Sequence, residues 1–524
     1  MGSTECETVG FIDVGTNSIH LLVVRFYPES MGTPVFQDKE SIRLGQSLYS
    51  TGSISQEAVD KAGLVVARFA HISRELGADN VLVYATCAAR EASNRRELVE
   101  RMSAGAEVKV IPGVEEARLI GLGVLGQHPV GRNLVIDIGG GSTEVILNHD
   151  GENVYMDSLR MGAVRYAYGL GIDCSQPVSD RDFNSILRSV DASSYHAVNG
   201  VRGHGFDEAT GSSGTMIALA EMCAARRGDN DASYMLLDEL RQIIADVRAM
   251  DQQQRASVPG LGKSRTDIIV TGGAIAQELM ELFGIQRIRI STRGLKQGMQ
   301  TDYLISQGNT VYDTRDSSVR ALAHRCNYDR KHSDAVERYC MMLFDQSYEL
   351  GMHSMKGNMR NLLSSAAILH DIGEHISYTD HNLISQMIIE HAGLVGFDMN
   401  EVRMMGLMVR FHHKKFPGPR DSRLADLSPL QATEVRKCAM FLKMADVLDR
   451  HRTSMISDIR LTRSAGILML ELSSEDEPSM EMWRLDKLKP DFEKLFGLRL
   501  TAVWKHRCPR DNLFYKDNNT ELLS

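Results

Sequence analysis

Residues 11–24 read FIDVGTNSIHLLVV, and residues 135–147 read VIDIGGGSTEVIL. A single offset lays Asp13 on Asp137, Gly15 on Gly139 and Ser18 on Ser142. Each copy is an apolar run, an Asp, a glycine-containing polar turn and a second apolar run. That order predicts strand, tight turn, strand. A solenoid would repeat every ~20–50 residues, so an echo this distant predicts two similar lobes. Between and after the copies, β-type runs lead into helical stretches, in VLVYATCAAREASN (81–94), VKVIPGVEEARLIGLGVLG (108–126), ATGSSGTMIALAEM (209–222) and DIIVTGGAIAQELMELF (267–283). Strands alternating with helices predict α/β layers.

The pattern changes near residue 300. From about 315 to 452 the periodicity is helical and rich in His and Met. Short β-type runs then return as ISDIRLT, GILMLELS and LRLTAVW, with KPDFEKLFG as a short helix between the last two. The expected organisation is lobe I at 1–126, lobe II at 127–305, an all-α domain at 306–452 and a small α+β domain at 453–524. The polar C-terminal stretch is expected to fray.

With 43% hydrophobic and 24% charged residues, the 524-residue chain is an ordinary globular one. Its net charge of −9 argues against a general nucleic-acid coat, so no DNA partner is expected. The eight Cys are scattered without a CxxC pair and read as reduced thiols. No apolar run is long enough for a membrane span, and the N-terminus lacks a signal-peptide plan. A cytoplasmic location without membrane attachment is expected.

Two features carry chemistry. A carboxylate beside a Gly/Ser/Thr turn offers amides and hydroxyls for phosphate oxygens and a carboxylate for Mg²⁺ or water. Such turns are Gly15–Ser18 after Asp13, and Gly139–Thr143 between Asp137 and Glu144. Glu115 and Glu116 follow the Pro112–Gly113 turn, where carboxylates suit a helix dipole or act as a base on water. Arg90 is either a phosphate partner or a surface charge. The run GLGVLG (121–126) fits GxGxxG but lies inside a helix, so it predicts close packing rather than a dinucleotide site. No Walker P-loop is present. In the helical region His332, His370, Asp371 and Asp446 are spaced like ligands of a divalent ion, with His381, His391, His412 and His413 as further candidates.

The segments IDVGTNSIHLLVV, ATCAAREASN, VIPGVEEARLIGLGV, LVIDIGGGSTEVIL, LRMGAVR, GSSGTM, RTDIIVTGGAI and STRGLKQGM occur in this order. The chain thereby resembles the exopolyphosphatase/guanosine pentaphosphate phosphatase (Ppx/GppA) family. LLSSAAILHDIGEHISY, GLMVRFHHK and FLKMADVLDRHR resemble the HD-type domain of its long members. The resemblance implies an actin/Hsp70/sugar-kinase type of fold, with the active site between two lobes, an HD-like all-α domain and a small C-terminal domain. It implies removal of the terminal phosphate from inorganic polyphosphate, with Mg²⁺; the alternative substrate is pppGpp. By this resemblance Glu116 is the catalytic base, Asp137 and Glu144 position metal and water, and Asp13 assists. Thr16, Asn17, Ser18, Gly139, Gly140, Gly141, Ser142 and Thr143 would cradle phosphates, and Arg90 matches the family's arginine. GSSGT and TGGAI fall where relatives of the fold carry nucleotide-binding turns. A homodimer is expected on the same ground.

The helical domain departs from the family at one point. Where long members carry His-x-His-Ser, this chain reads Asn382-Leu383-Ile384-Ser385, with His381 just upstream. A second metal site at His332, His370, Asp371 and Asp446 and a degenerate domain both remain open. So do two other functional classes, a nucleotide sensor whose HD domain is the enzyme and a kinase of the same fold. A polyanionic substrate further requires a basic lining, for which Arg90, Arg118, Arg165, Arg293, Lys296 and His412–Lys415 are candidates.

Overall fold

The structure, a computed structural model, describes residues 6–27, 32–126, 131–229, 231–307, 314–394 and 396–506. The polar C-terminal stretch, expected to fray, and Cys508 within it lie outside the described residues. The chain divides into two compact units, Met1–Thr314 and Arg315–Ser524.

In the first unit, β1 (Glu7–Val14) and β2 (Ser18–Phe26) form an antiparallel hairpin, and β3 (Thr33–Ser41) extends it. β4 (Asn80–Ala85) and β5 (Val108–Val110) add parallel to β1, giving the order β3-β2-β1-β4-β5. The second sheet repeats this plan. β6 (Arg132–Ile138), β7 (Thr143–His149) and β8 (Glu152–Leu159) form the antiparallel part, and β9 (Glu208–Ser212) pairs parallel to β6. β10 (Tyr234–Leu236) is an antiparallel edge on β11 (Arg287–Ile290), and the order is β10-β11-β9-β6-β7-β8. The echo read from two short motifs is therefore an echo of two whole sheets. The first strands read as nearly continuous apolar runs because helices cover both faces of each sheet.

The lobes share a core. Phe11 and Leu22 from the first sheet and Val135 and Ile146 from the second pack with Ile120, Leu295 and Met299. The last three lie on two helices, Gly113–Leu125 and Leu295–Ser306. These helices approach backbone to backbone, because a Cβ at Gly123 would collide with the Gly294 carbonyl oxygen and one at Gly298 with that of Leu119. GLGVLG is thus a helix-packing run, as expected. Gly123→Ala is expected to destabilise the protein by about 1–3 kcal/mol, since neither colliding backbone can yield cheaply. A lowered urea midpoint at unchanged m-value would register this.

One expected element is corrected. DIIVTGGAI was read as strand, turn and helix, but Ile269–Phe283 is helical throughout. Its glycines sit in the helix interior, where a Cβ at Gly272 would meet Thr215 and one at Gly273 would strike Ile244. Tight helix packing, not a turn, accounts for them.

The second unit holds helices Arg330–Glu349, Gly357–Leu369, His381–His391, Met399–His412 and Pro429–Leu448. A three-stranded sheet of β12 (Asp458–Ser464), β13 (Ile467–Ser474) and β14 (Arg499–His506) follows. The helix between β13 and β14 is longer than expected, Ser479–Phe496, and carries Pro490 inside it. Buried Leu485, Leu488 and Phe492 give it an apolar stripe that extends upstream of the short segment read from the sequence. One hydrophobic core runs from Val319 through Phe441 to Leu500, so helices and small sheet pack as one body. No helix among the described residues is long and apolar enough to cross a membrane. The described cysteines are free thiols.

Candidate active site

The two glycine turns close in the same way. The Gly15 N–H donates to the Ser18 carbonyl at 3.1 Å, and the Gly139 N–H donates to that of Ser142 at 3.0 Å. These amides are consumed by the turns, which leaves the tips, Thr16–Asn17 and Gly140–Gly141, to face a ligand. The turns also face each other: a Cβ at Gly140 would lie 3.2 Å from Thr16 Cβ. Between them lies a cavity of about 320 Å³, lined by Asp13, Thr16, Asn17, Ser18, Glu116, Asp137 and Gly139–Ser142. Thr143 is not part of the lining. Its hydroxyl is buried and donates to the Met161 carbonyl at 2.8 Å, which makes it a support for the turn rather than a phosphate contact.

The two glutamates after Pro112 separate cleanly. Glu115 turns outward and accepts a bidentate pair from Arg118 at 2.8 and 2.8 Å. Glu116 is 7% exposed and accepts from Arg90 at 2.6 Å. The same Arg90 nitrogen, Nη1, also donates to the Ile111 carbonyl at 3.1 Å, which orients the guanidinium toward Glu116. It reaches the site through Glu116 rather than by lining the cavity.

β-sheet register places the remaining carboxylates. Asp137 on β6 lies directly opposite Glu144 on β7 and beside Ser212 on β9. Ser212 Oγ donates to Asp137 at 2.5 Å, and Ser158 Oγ donates to Glu144 at 2.7 Å. Glu144 is fully buried and does not line the cavity itself. In the first sheet the equivalent row is Asp13, His20 and Lys39.

These carboxylates raise each other's proton affinity. Asp13 retains some solvent access, yet burial first, then Glu116 and Asp137, push its pKa up to about 7 against the pull of Lys296. Burial, with Glu116 adding to it, pushes Asp137 up to about 6, while the Ser212 hydrogen bond opposes. Burial raises Glu116, and Arg90 and Thr86 hold it back. Glu144 is raised well above the ordinary range by burial, Glu116 and Asp137. Such a set of crowded oxygen donors suits a hard dication, which would relieve the repulsion.

Three basic lining residues escaped the reading of the sequence: His20, Lys39 and Arg265. Burial, with Lys296, Lys39 and Arg265 nearby, lowers His20 to about 3 and keeps it neutral. The echo held a signal for it, because the offset that joins Asp13 to Asp137 also joins His20 to Glu144. Lys39 is brought in by sheet register alone. Of the basic candidates expected to line a channel, Arg293 and Lys296 face the cavity. Arg118 is engaged by Glu115 and Asp302, and Arg165 by Glu91 and the Gly141 carbonyl. GSSGT contributes Ser213, Gly214 and Thr215 to the lining, whereas TGGAI does not reach it.

In the second unit His332, His370, Asp371 and Asp446 come together with ligand atoms within 4.8 Å of one another. His381, His412 and His413 form a second such group. His391 does not join them; it is exposed at a helix end, against the Met387 carbonyl. His412 is buried, and Lys414 pairs with Asp380, so residues 412–415 are not a free basic cluster.

Comparison with known proteins places the chain by sequence and by fold. The chain is 26% identical over 442 residues to a guanosine-5'-triphosphate,3'-diphosphate pyrophosphatase of Aeromonas hydrophila, covering 83% of this chain and 87% of that protein. It is 26% identical over 469 residues to the protein of the same name from Vibrio cholerae serotype O1, covering 88% and 91%. A crystal structure of an exopolyphosphatase from Cytophaga hutchinsonii superposes with a TM-score of 0.53 at 26% identity, covering 59% of this chain and all of that one. The Ppx/GppA phosphatase family model matches residues 22–307, and the model of Ppx/GppA phosphatase domain III matches residues 314–486. On this breadth of match, the chain belongs to the Ppx/GppA phosphatase family.

Proposed function

We propose that the protein hydrolyses the terminal phosphoanhydride of pppGpp, giving ppGpp and orthophosphate. The observation that carries the chemistry is Glu116, buried in the cavity wall and gripped by Arg90 at 2.6 Å, on a helix that faces both glycine turns. Burial raises the proton affinity of Glu116, and the Arg90 charge and hydrogen bond oppose that rise. Glu116 takes the proton of a water attacking the terminal phosphorus, and the anhydride P–O bond breaks with its electron pair staying on the departing diphosphate oxygen. The Thr16–Ser18 and Gly139–Ser142 turns hold the phosphate oxygens, and Lys39, Arg265 and Lys296 offset the charge on the departing chain. Asp13, Asp137 and Glu144 would hold Mg²⁺, which supplies charge neutralisation to the phosphates when bound.

The choice of pppGpp rests on the names of relatives that align with most of the chain. It rests also on the basic residues, which gather in one cavity while Arg90, Arg118 and Arg165 are tied to carboxylates. Inorganic polyphosphate is the second reading, favoured by the likeness of 59% of the chain to a solved exopolyphosphatase. Phosphate release from pppGpp, long-chain polyphosphate, tripolyphosphate and ATP, measured side by side with and without Mg²⁺, decides between them. The expected result is a kcat/KM for pppGpp at least tenfold above the others. Preference for the long chain would reverse the assignment.

A further inference from the structure

One residue outside the cavity holds both tip carbonyls of the second glycine turn. Arg165 lies in the first turn of the helix Ala163–Gly169. Its backbone N–H, like that of Val164, donates to the Gly140 carbonyl at 2.9 Å. Its Nε donates to the Gly141 carbonyl at 2.7 Å. A trans peptide is planar, so a fixed Gly141 carbonyl also fixes the Ser142 N–H, which points the opposite way in the same plane. Gly140, Gly141 and Ser142 line the cavity, and Arg165 does not.

The first lobe holds its own tip with backbone alone at the matching carbonyls. The offset of the echo lays Thr16 on Gly140 and Asn17 on Gly141. The Gly45 N–H donates to the Thr16 carbonyl at 3.0 Å, and those of Ile42 and Arg43 donate to the Asn17 carbonyl at 3.1 and 3.0 Å. In the second lobe a guanidinium takes the place of amides at Gly141, and a guanidinium has further donors to place.

Those donors cross to the first lobe. Arg165 Nη2 donates to the Glu91 carboxylate at 2.7 Å and stands 3.4 Å from Cys87 Sγ. The guanidinium carbon lies 4.5 Å from the centre of the Tyr49 ring, and the Tyr49 hydroxyl reaches Cys87 Sγ at 3.5 Å. The same first-lobe groups crowd the tip, since a Cβ at Gly141 would collide with the Tyr49 and Thr16 hydroxyls. The Arg165 and Glu91 side chains are 15% and 21% exposed, so solvent screens their attraction less than it would on the surface.

Glu91 gains its importance from the residue before it. The helix Cys87–Glu91 is little more than one turn, and its Arg90 donates to Glu116 at 2.6 Å. Adjacent residues on one helical turn do not reorient separately. Contacts thus run from the Gly141 carbonyl through Arg165, Glu91 and Arg90 to Glu116. In-line attack on a terminal phosphate needs the phosphorus and the proton acceptor in register, and a misplacement of ~1 Å costs on the order of a hundredfold.

We propose that Arg165 is a positioning residue for the hydrolysis: it ties the Gly140–Gly141 tip to the short helix that carries Arg90, and so keeps the terminal phosphate in register with Glu116. This rests on the reading of Glu116 as the proton acceptor. Arginine suits the task because its planar fork presents Nε and Nη2 in fixed directions, whereas a lysine ammonium is a point donor.

The full-length protein tests this through kcat and KM for the better substrate of pppGpp and long-chain polyphosphate, measured below the Tm of each variant. Arg165→Met is expected to lower kcat about 10–100-fold with KM within about threefold, because register is lost while Lys39, Arg265 and Lys296 still hold the substrate. Arg165→Lys is expected to fall between it and wild type. Glu91→Ala is expected to lower kcat about tenfold, and the double variant Arg165→Met/Glu91→Ala to lose no more than Arg165→Met alone, as befits one chain of contacts. An unchanged kcat in Arg165→Met, whether Tm falls or KM rises, overturns the proposal, as do losses that multiply in the double variant. Glu91 is the more exposed partner, so the kcat of its variant decides if Arg165→Met fails to fold. Glu116→Gln is measured alongside. Wild-type turnover there overturns the underlying reading and this proposal with it, whereas a slow Glu116→Gln beside an Arg165→Met of wild-type kcat overturns this proposal alone.

Discussion

Glu116→Gln is expected to slow phosphate release about a thousandfold while substrate still binds. The substitution preserves volume in a 7%-exposed site, so the helix Gly113–Leu125 has no reason to move. What disappears is the group that receives the proton of the attacking water, a contribution of about 10²–10⁴-fold. Removing a negative charge beside the phosphates also frees Arg90 from its partner, which strengthens anion binding rather than weakening it. Single-turnover phosphate release together with equilibrium binding of pppGpp checks both halves. Turnover within tenfold of wild type would remove Glu116 from the role of base.

Arg90→Met is expected to cut activity at pH 7 by about 10–100-fold and to restore much of it at higher pH. The sign follows from the opposing influences on Glu116. Burial raises its pKa, and the Arg90 charge and hydrogen bond lower it. Without the guanidinium the carboxyl holds its proton to higher pH, and a protonated carboxyl accepts none from water. The acid limb of the kcat/KM profile therefore moves to alkaline pH, and Arg90→Lys moves it less. A loss of rate equal at every pH would instead mark Arg90 as structural support alone.

The architecture of the first unit was legible because Asp-turn motifs recur with matched strands on either side, and strand pairing follows from such hairpins. Glu116 was legible only by resemblance, since two adjacent glutamates at a helix start look alike until one meets Arg118 and the other Arg90. Thr143 was misread because the hydroxyl of a turn residue points to either side of the sheet, and here it points inward to Met161. TGGAI looked like a turn because a glycine pair signals one in isolation, whereas Thr215 and Ile244 pressing on it favour a helix. Lys39 and Arg265 enter the cavity from distant segments, and nothing local to either announces it. The histidines of the second unit were countable in the sequence, but which of them gather depends on how the helix ends converge.

Glu116 and Lys296 ride on helices whose backbones touch at Gly123, Gly294 and Gly298. At such close range neither helix slides without lifting off the other. The proposed proton acceptor and a cation facing the same cavity are thus carried on one stiff member, and their separation does not depend on how far the two sheets breathe.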